Sequence, residues 1–211
     1  MSMQAETAFL VSEQETAALR ARLREVRLAQ YARLRGGFPI PLAGMVYWLV
    51  LAGLGHSLQL GDWASVAFFG SGAIFPLALV FSKLFNTPFM KDRSPVDSVL
   101  FPAFVSMLLF WCFIAASVSE APSLVPLILA VGMSAHWPVI GWSYGRTALF
   151  TAHAVARSVL ATVLWIAFPD ERLTWLPLSV AAAYALTVIA LWVDSARVRR
   201  SLAGASAAAP A

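Results

Sequence analysis

The amino-acid sequence predicts an all-α membrane protein: a polytopic helix bundle of about six transmembrane helices in three hairpins, preceded by a cytoplasmic amphipathic helix. The first observation is composition, because 60% of the 211 residues are hydrophobic and 12% are charged, against about 45–50% and about 25% in soluble domains. The second is six windows long and apolar enough to cross about 30 Å of hydrocarbon. The third is positive charge on alternate connections. A chain this apolar cannot cover a water-facing surface, which argues against a soluble domain.

Six hydrophobic windows account for most of the chain between residues 37 and 195, which we take as the transmembrane domain. Residues 1–36 form a separate basic arm, and residues 196–211 a short basic and then Ala-rich tail that we expect to be disordered. The windows are Phe38–Leu58, Trp63–Phe85, Val99–Val118, Leu124–Trp142, Thr147–Phe168 and Trp175–Val193.

The distribution of Lys and Arg predicts the orientation. Basic residues next to spans stay on the cytoplasmic side, and here they occur in the N-terminal arm, the second and fourth connections and the C-terminal end. The two termini share a side only when the number of spans is even, which agrees with six. We therefore expect both termini in the cytoplasm and a location in the plasma membrane, as in a bacterial inner membrane. The basic residues of the two connections are Lys83, Lys91, Arg93 and Arg146.

The arm, at about Thr7–Arg35, carries apolar residues at helical spacing and no helix breaker before Gly36. A basic amphipathic helix of this kind lies on anionic lipid surfaces, and a coiled coil with a second copy is the alternative. The arginines that we expect to contact anionic lipids are Arg20, Arg22, Arg24, Arg27, Arg33 and Arg35. The arm has no soluble domain to present these arginines to nucleic acid, so we expect no nucleic-acid partner.

Two spans share a short pattern of small residues followed by proline. Gly70, Ala73, Phe75 and Pro76 match Gly132, Ala135, Trp137 and Pro138 in order and spacing. A duplicated hairpin would give this pattern, and so would chance. In either case we expect Pro76 and Pro138 to kink their helices.

Ionisable residues deep in a membrane are costly and therefore mark candidate functional sites. Arg157 lies near the middle of the fifth window, with His153 one turn earlier and His136 in the fourth window. The fourth connection is a tight turn centred near Tyr144, so residues equidistant from it lie at equal depth in an antiparallel hairpin. This places His136 nearly level with His153, and Arg157 opposite Gly132 and close to the midplane, with Ser134 almost level with it.

Two stripes on the fifth helix predict how it packs. Arg146, Phe150, His153 and Arg157 share one stripe, which we expect to face the bundle interior because lipid would not tolerate it. Ala148, Ala152 and Ala156 form a second stripe of small residues, and such stripes let helices approach closely. We expect the alanine stripe to pack on another helix.

Two interpretations of Arg157 remain open. In the first it is a structural staple, whose guanidinium satisfies the carbonyl of Ser134 that Pro138 leaves without a helical donor. In the second it forms a cationic site for an anionic or carboxylate ligand or a lipid headgroup. The residues of this candidate ligand site are Arg157, His153, His136, Arg146 and Tyr144.

No motif for catalysis or cofactor binding is present in the sequence. It has no phosphate loop, no CxxC pair and no paired carboxylates, so we expect neither an enzyme nor a cofactor. We also expect no metal site, because His56 falls near the opposite face from the other two histidines. Two functional classes stay open: a small transporter or permease-like protein using the Arg/His site, and a non-catalytic membrane scaffold acting through its arm. Six short spans close only a small bundle, so we expect homo-oligomers.

Overall fold

The fold was obtained as a computed structural model, which describes residues 12–87, 90–92 and 94–208. Within these ranges the chain consists of helices and turns and contains no strand. The beginning of the predicted arm helix at Thr7, the basic residue Arg93 and the last three residues of the tail lie outside the described residues.

The described residues contain six helical segments long and apolar enough to cross a membrane, which confirms the predicted helix bundle. The six segments are Arg35–Leu54, Leu60–Leu84, Pro95–Glu120, Pro122–Ser143, Thr147–Ala167 and Arg172–Ala205. The α-helices are α1 (Glu13–Arg33), α2 (Pro39–Leu54), α3 (Leu60–Gly70), α4 (Ile74–Leu84), α5 (Leu100–Glu120), α6 (Val125–Gly132), α7 (Trp137–Ser143), α8 (Thr147–Ala167) and α9 (Arg172–Ala208).

In the second and fourth spans the α-helix gives way to a short tighter turn and then resumes. In span two, α3 ends at Gly70 and the 3₁₀ turn Ser71–Ala73 leads into α4. In span four, α6 ends at Gly132 and four residues of turn precede α7. Pro138 lies in the first turn of α7, where its missing N–H costs no helical hydrogen bond. The two stretches of matching sequence therefore correspond to the same structural feature: an α-helix stops at a glycine and a new one begins with a proline in its first turn.

Helix α9 packs along α2, and two glycines permit the close approach. A Cβ on Gly44 would lie 2.9 Å from Cζ of Tyr184, and a Cβ on Gly55 would lie 2.2 Å from the backbone oxygen of Leu173. The core between the helices is rich in fully buried aromatic rings, including Trp48 and Trp63. In contrast, α5 exposes most of its apolar side chains, as expected of a helix that faces hydrocarbon.

The arm forms a helix whose last turn docks on the bundle. Helix α1 begins with a capping box between Ser12 and Glu15, and its first half is exposed. Near its end, Gln30 Nε2 donates to Asp97 Oδ1 at 2.8 Å, and Tyr31 is fully buried. Arg33 makes an ion pair with Asp92 at 3.0 Å. The arm and the second connection therefore meet at one end of the bundle, while the side of the membrane on which they lie stays a prediction from charge.

The tail differs from the expected disorder. Helix α9 continues without a break to Ala208, well past residue 196, where we expected the ordered bundle to end. Val198 is still part of the buried core, and beyond it the high helix propensity of alanine favours continuing an existing helix.

Candidate functional site: a buried arginine at the centre of the bundle

Arg157 is the central residue of α8, which runs from Thr147 to Ala167. At 1.5 Å per residue it lies about 15 Å from either end of the helix, which is the middle of a hydrocarbon layer about 30 Å thick. The side chain is only 1% exposed. The prediction that the Arg/His stripe faces the interior is confirmed for Phe150, His153 and Arg157, which are all buried.

The guanidinium of Arg157 is held by the interruption in span four. Its Nε donates to Ser134 Oγ at 2.9 Å, and its Nη2 donates to the same oxygen at 2.5 Å. Ser134 Oγ in turn donates to the carbonyl oxygen of Ala130 at 2.9 Å. The Ser134 carbonyl, which we expected to be the acceptor, instead accepts from the backbone N–H of Trp137 at 3.1 Å. Arg157 is thus level with Ser134, as predicted, but it binds the hydroxyl rather than the carbonyl.

Two aromatic rings cover the guanidinium. Its Cζ lies 4.7 Å from the ring centroid of Tyr184 and 6.0 Å from that of Trp137. The negative face of an aromatic ring attracts a cation, and this attraction strengthens where water is excluded. Tyr184 reaches this position because Gly44 on α2 leaves room for its ring. The rings offset part of the cost of burying Arg157, but neither carries a full negative charge.

His153 lies one turn before Arg157 and completes the buried group. Its Nδ1 is 2.6 Å from Thr187 Oγ1 on α9, and its ring centroid is 4.6 Å from that of Trp137. The ring of His136 also neighbours Trp137, at 6.0 Å. Trp137 therefore neighbours all three ionisable residues that the sequence places deep in the membrane, Arg157, His153 and His136, and we call these four residues the Arg157 cluster.

Several polar atoms of the Arg157 cluster are buried without a partner. Among the described residues, no hydrogen-bond partner lies within reach of Arg157 Nη1, His153 Nε2, Trp137 Nε1 or His136 Nδ1. No carboxylate of the described residues forms an ion pair with Arg157 either. An unpaired buried polar group costs about 1–3 kcal/mol, and a charged group more. The cluster therefore has unused capacity to bind a polar or anionic group.

The other two predicted site residues lie in a different place. Arg146 donates through Nε to Asp194 Oδ2 at 2.7 Å, and Tyr31 of the arm donates to the same oxygen at 2.9 Å. Tyr144 packs against Tyr31, with ring centroids 5.7 Å apart. The structure therefore brings Arg157, His153 and His136 together around Trp137, and it places Arg146 and Tyr144 in a second group where the arm docks on the bundle.

Burial dominates the acid–base behaviour of the two tyrosines in this second group. It raises the pKa of Tyr31 well above its usual value, and the adjacent Asp194 carboxylate raises it further. Burial also raises the pKa of Tyr144, with smaller contributions from the carboxylates of Asp97 and Asp92. Both hydroxyls therefore stay protonated far above neutral pH, and the hydrogen bond from Tyr31 to Asp194 persists over the same range.

Sequence reasoning missed four residues that shape these groups: Trp137, Tyr184, Thr187 and Asp194. Trp137 lies next to His136, and the other three lie on the sixth span. No group of three or more His, Cys, Asp or Glu side chains able to hold a metal ion occurs among the described residues.

The alanine stripe does not pack as predicted. Ala148, Ala152 and Ala156 are all exposed on the outer side of α8. Once Arg157 and His153 turn inward, residues on the other side of the helix must face outward. The small residues therefore do not mediate a helix contact within the chain.

Six apolar spans around a buried guanidinium define an integral multi-pass membrane protein of the α-helical class. The chain belongs to a family of unknown function, DUF7010, whose model matches residues 23–194. The matched segment includes the whole Arg157 cluster and the docked end of the arm. Comparison with curated proteins and with solved structures finds no match to the chain.

Proposed function

We propose that the protein is a small transporter or permease-like protein, in which the Arg157 cluster binds an anionic ligand, such as a carboxylate, within the membrane. The observation that carries the proposal is the unpartnered Nη1 of a guanidinium that is buried at the centre of span five. A guanidinium has five N–H donors in a planar fork that matches a carboxylate.

A staple role alone leaves the cluster incomplete. Ser134 Oγ accepts from Nε and Nη2, so the two donors of Nη1 have no partner in the described part of the chain. The imidazole Nε2 of His153 and the indole N–H of Trp137 are also unpartnered in the described part of the chain, and their ring centroids are 4.6 Å apart. A bound carboxylate would neutralise the guanidinium and accept from the indole.

Access to the cluster requires movement, because Arg157 is sealed from the surface. At residues 71–73 and 133–136 of spans two and four, the α-helical hydrogen bonds give way to tighter bonds between residues three apart. Discontinuous helices of this kind form binding sites in transporters. We propose that the sealed arrangement is an occluded state and that the interruption at Ser134 opens it.

The test is thermal unfolding of the purified protein with sodium acetate, lactate, succinate or glutamate, each against sodium chloride at equal ionic strength. A ligand at about ten times its Kd adds about 1.4 kcal/mol to the free energy of unfolding. For a chain of this size that corresponds to a rise in Tm of about 3–5 °C. We expect at least one carboxylate to produce this rise, and uptake of that carboxylate into proteoliposomes to follow.

Variants separate binding at the cluster from a general salt effect. Arg157→Gln should abolish the rise in Tm, and Arg157→Lys, which keeps the charge without the planar fork, should weaken it. Arg24→Gln on the exposed part of the arm is the matched control and should leave it unchanged. If none of the four carboxylates raises the Tm of the wild-type protein, the proposal is wrong, whether or not the Arg157 variants fold.

A second candidate is a membrane scaffold that acts through the arm, favoured by the exposure of the first half of α1. Leu19 on its apolar stripe is 69% exposed, and Arg20 and Arg24 are exposed beside it. On this proposal the half-helix lies on an anionic lipid surface. Amide hydrogen exchange in residues 13–25 should then be slower in nanodiscs of phosphatidylglycerol than in nanodiscs of phosphatidylcholine, and equal exchange in the two would refute it.

A further inference from the structure

A cavity of about 480 Å³ lies between the beginning of α8 and the adjacent part of α9. Three charged residues line it, Arg146, Asp194 and Arg197, together with apolar residues that include Leu149, Ala190 and Val193. It is separate from the Arg157 cluster, because Arg146 lies at the beginning of α8, eleven residues and about 16 Å before Arg157.

The two walls of this cavity change from apolar to charged in the same direction. On α9, Ala190, Val193, Asp194 and Arg197 follow at helical spacing on one face. On the antiparallel helix α8, Leu149 is followed by Arg146 toward the same end. Since span five begins at Thr147, the charged rim lies where the hydrocarbon ends and the headgroup layer begins. A phospholipid changes in the same direction along the membrane normal, from an apolar acyl chain to a charged phosphate.

The charges at the rim favour a net-negative headgroup. The charge of Asp194 is already engaged by Arg146 Nε and the Tyr31 hydroxyl. No carboxylate of the described residues forms an ion pair with Arg197. The rim therefore keeps one net positive charge, together with the N–H donors of Arg197.

We propose that this cavity is a binding site for one anionic phospholipid, with its phosphate on Arg146 and Arg197 and its acyl chain against Leu149, Ala190 and Val193. The macrodipole of α8 adds partial positive charge at the same end. The proposed lipid would also lie next to the docked end of the arm, because Tyr31 and Arg146 both donate to Asp194. This proposal does not depend on ligand binding by the Arg157 cluster.

The test is native mass spectrometry of the protein released from nanodiscs with equal amounts of phosphatidylglycerol and phosphatidylcholine. We expect one retained phosphatidylglycerol per chain, in preference to phosphatidylcholine. An arginine near a charged bilayer surface contributes about 1 kcal/mol, so Arg197→Gln should lower the retained fraction about fivefold. Arg199→Gln is the matched control, because it removes the same charge from the same helix end without lining the cavity, and it should have little effect.

A second variant tests the apolar end of the cavity. Ala190→Phe fills the space beside Val193 without changing any charge, so it should lower lipid retention while leaving the ion pair of Arg146 intact. If Arg197→Gln and Arg199→Gln lowered lipid retention equally, the lipid would be held by general surface charge and not by this cavity. Full retention in Ala190→Phe, displacement of the lipid by equimolar glycerol 3-phosphate, or equal retention of the two lipids would each overturn the proposal.

Discussion

Replacing Ser134 by alanine tests whether the buried arginine depends on the interruption in span four. The Ser134 hydroxyl accepts hydrogen bonds from both Nε and Nη2 of Arg157, and Ser134 as a residue is 4% exposed. Interhelical hydrogen bonds between neutral groups in membranes contribute about 0.6 kcal/mol on average, whereas those to charged groups contribute about 1.5–3 kcal/mol. Because two donors share one acceptor here, we expect the free energy of unfolding to fall by about 2 kcal/mol.

The measurement is equilibrium unfolding in mixed micelles. Ser106→Ala is the matched control, because the Ser106 hydroxyl donates only to the carbonyl of Pro102 in its own helix, on the exposed surface of α5. Ser134→Thr retains the hydroxyl and should recover most of the loss. In a double-mutant cycle with Arg157→Gln, the two changes should couple by about 2 kcal/mol. A coupling near zero, or a loss from Ser134→Ala no larger than that from Ser106→Ala, would refute the assignment of Ser134 as the anchor of Arg157.

Two further predictions concern the docked arm and the packing of α9. Burial and the neighbouring Asp194 raise the pKa of Tyr31 in the folded protein, so its contribution to stability is complete below its unfolded pKa of about 10 and is lost as the pH rises above that value. Unfolding measured from pH 8 to 11 should show this loss in the wild-type protein and a smaller one in Tyr31→Phe, and identical profiles would contradict it. Gly55→Ala should destabilise the protein by about 2 kcal/mol or more, because its Cβ would meet the Leu173 backbone. Gly53→Ala, with nothing within 4 Å, should be neutral or stabilising by up to about 1 kcal/mol, so similar losses from both in thermal unfolding would refute the close contact.

The depth of a residue within its hairpin could be predicted from the sequence. The tight turn at Tyr144 places Arg157 and Ser134 at nearly the same level, and the structure joins them. The same reasoning applied to the fifth connection would have found two more partners. His153 and Thr187 each lie 17 residues from Asp170 along the chain, and Arg146 and Asp194 each lie 24 residues from it. Both pairs are in contact in the structure.

The direction in which a residue faces was harder to predict than its depth. Hydropathy and charge identified the inward stripe of α8, because an arginine at that depth is far less costly inside the bundle than facing the acyl chains. Ala148 and Ala156 carry no such constraint, since a small apolar side chain is compatible with either lipid or a neighbouring helix, and here they face outward. The helical breaks had the same ambiguity. Pro138 marks a disturbance in span four, but whether it bends the helix or begins a new one depends on tertiary contacts around residues 133–136.

The position of Arg157 beside a broken helix bears on whether a ligand is needed. Ser134 lies between the C-terminal end of α6 and the N-terminal end of α7, and these ends carry opposite partial charges of about half an elementary charge. Their effects on a cation between them largely cancel, so the helix ends do not neutralise the guanidinium. The rings of Tyr184 and Trp137 attract it without supplying a net charge. A purely structural role would leave an uncompensated charge at the centre of the membrane, and an anionic ligand would remove that cost.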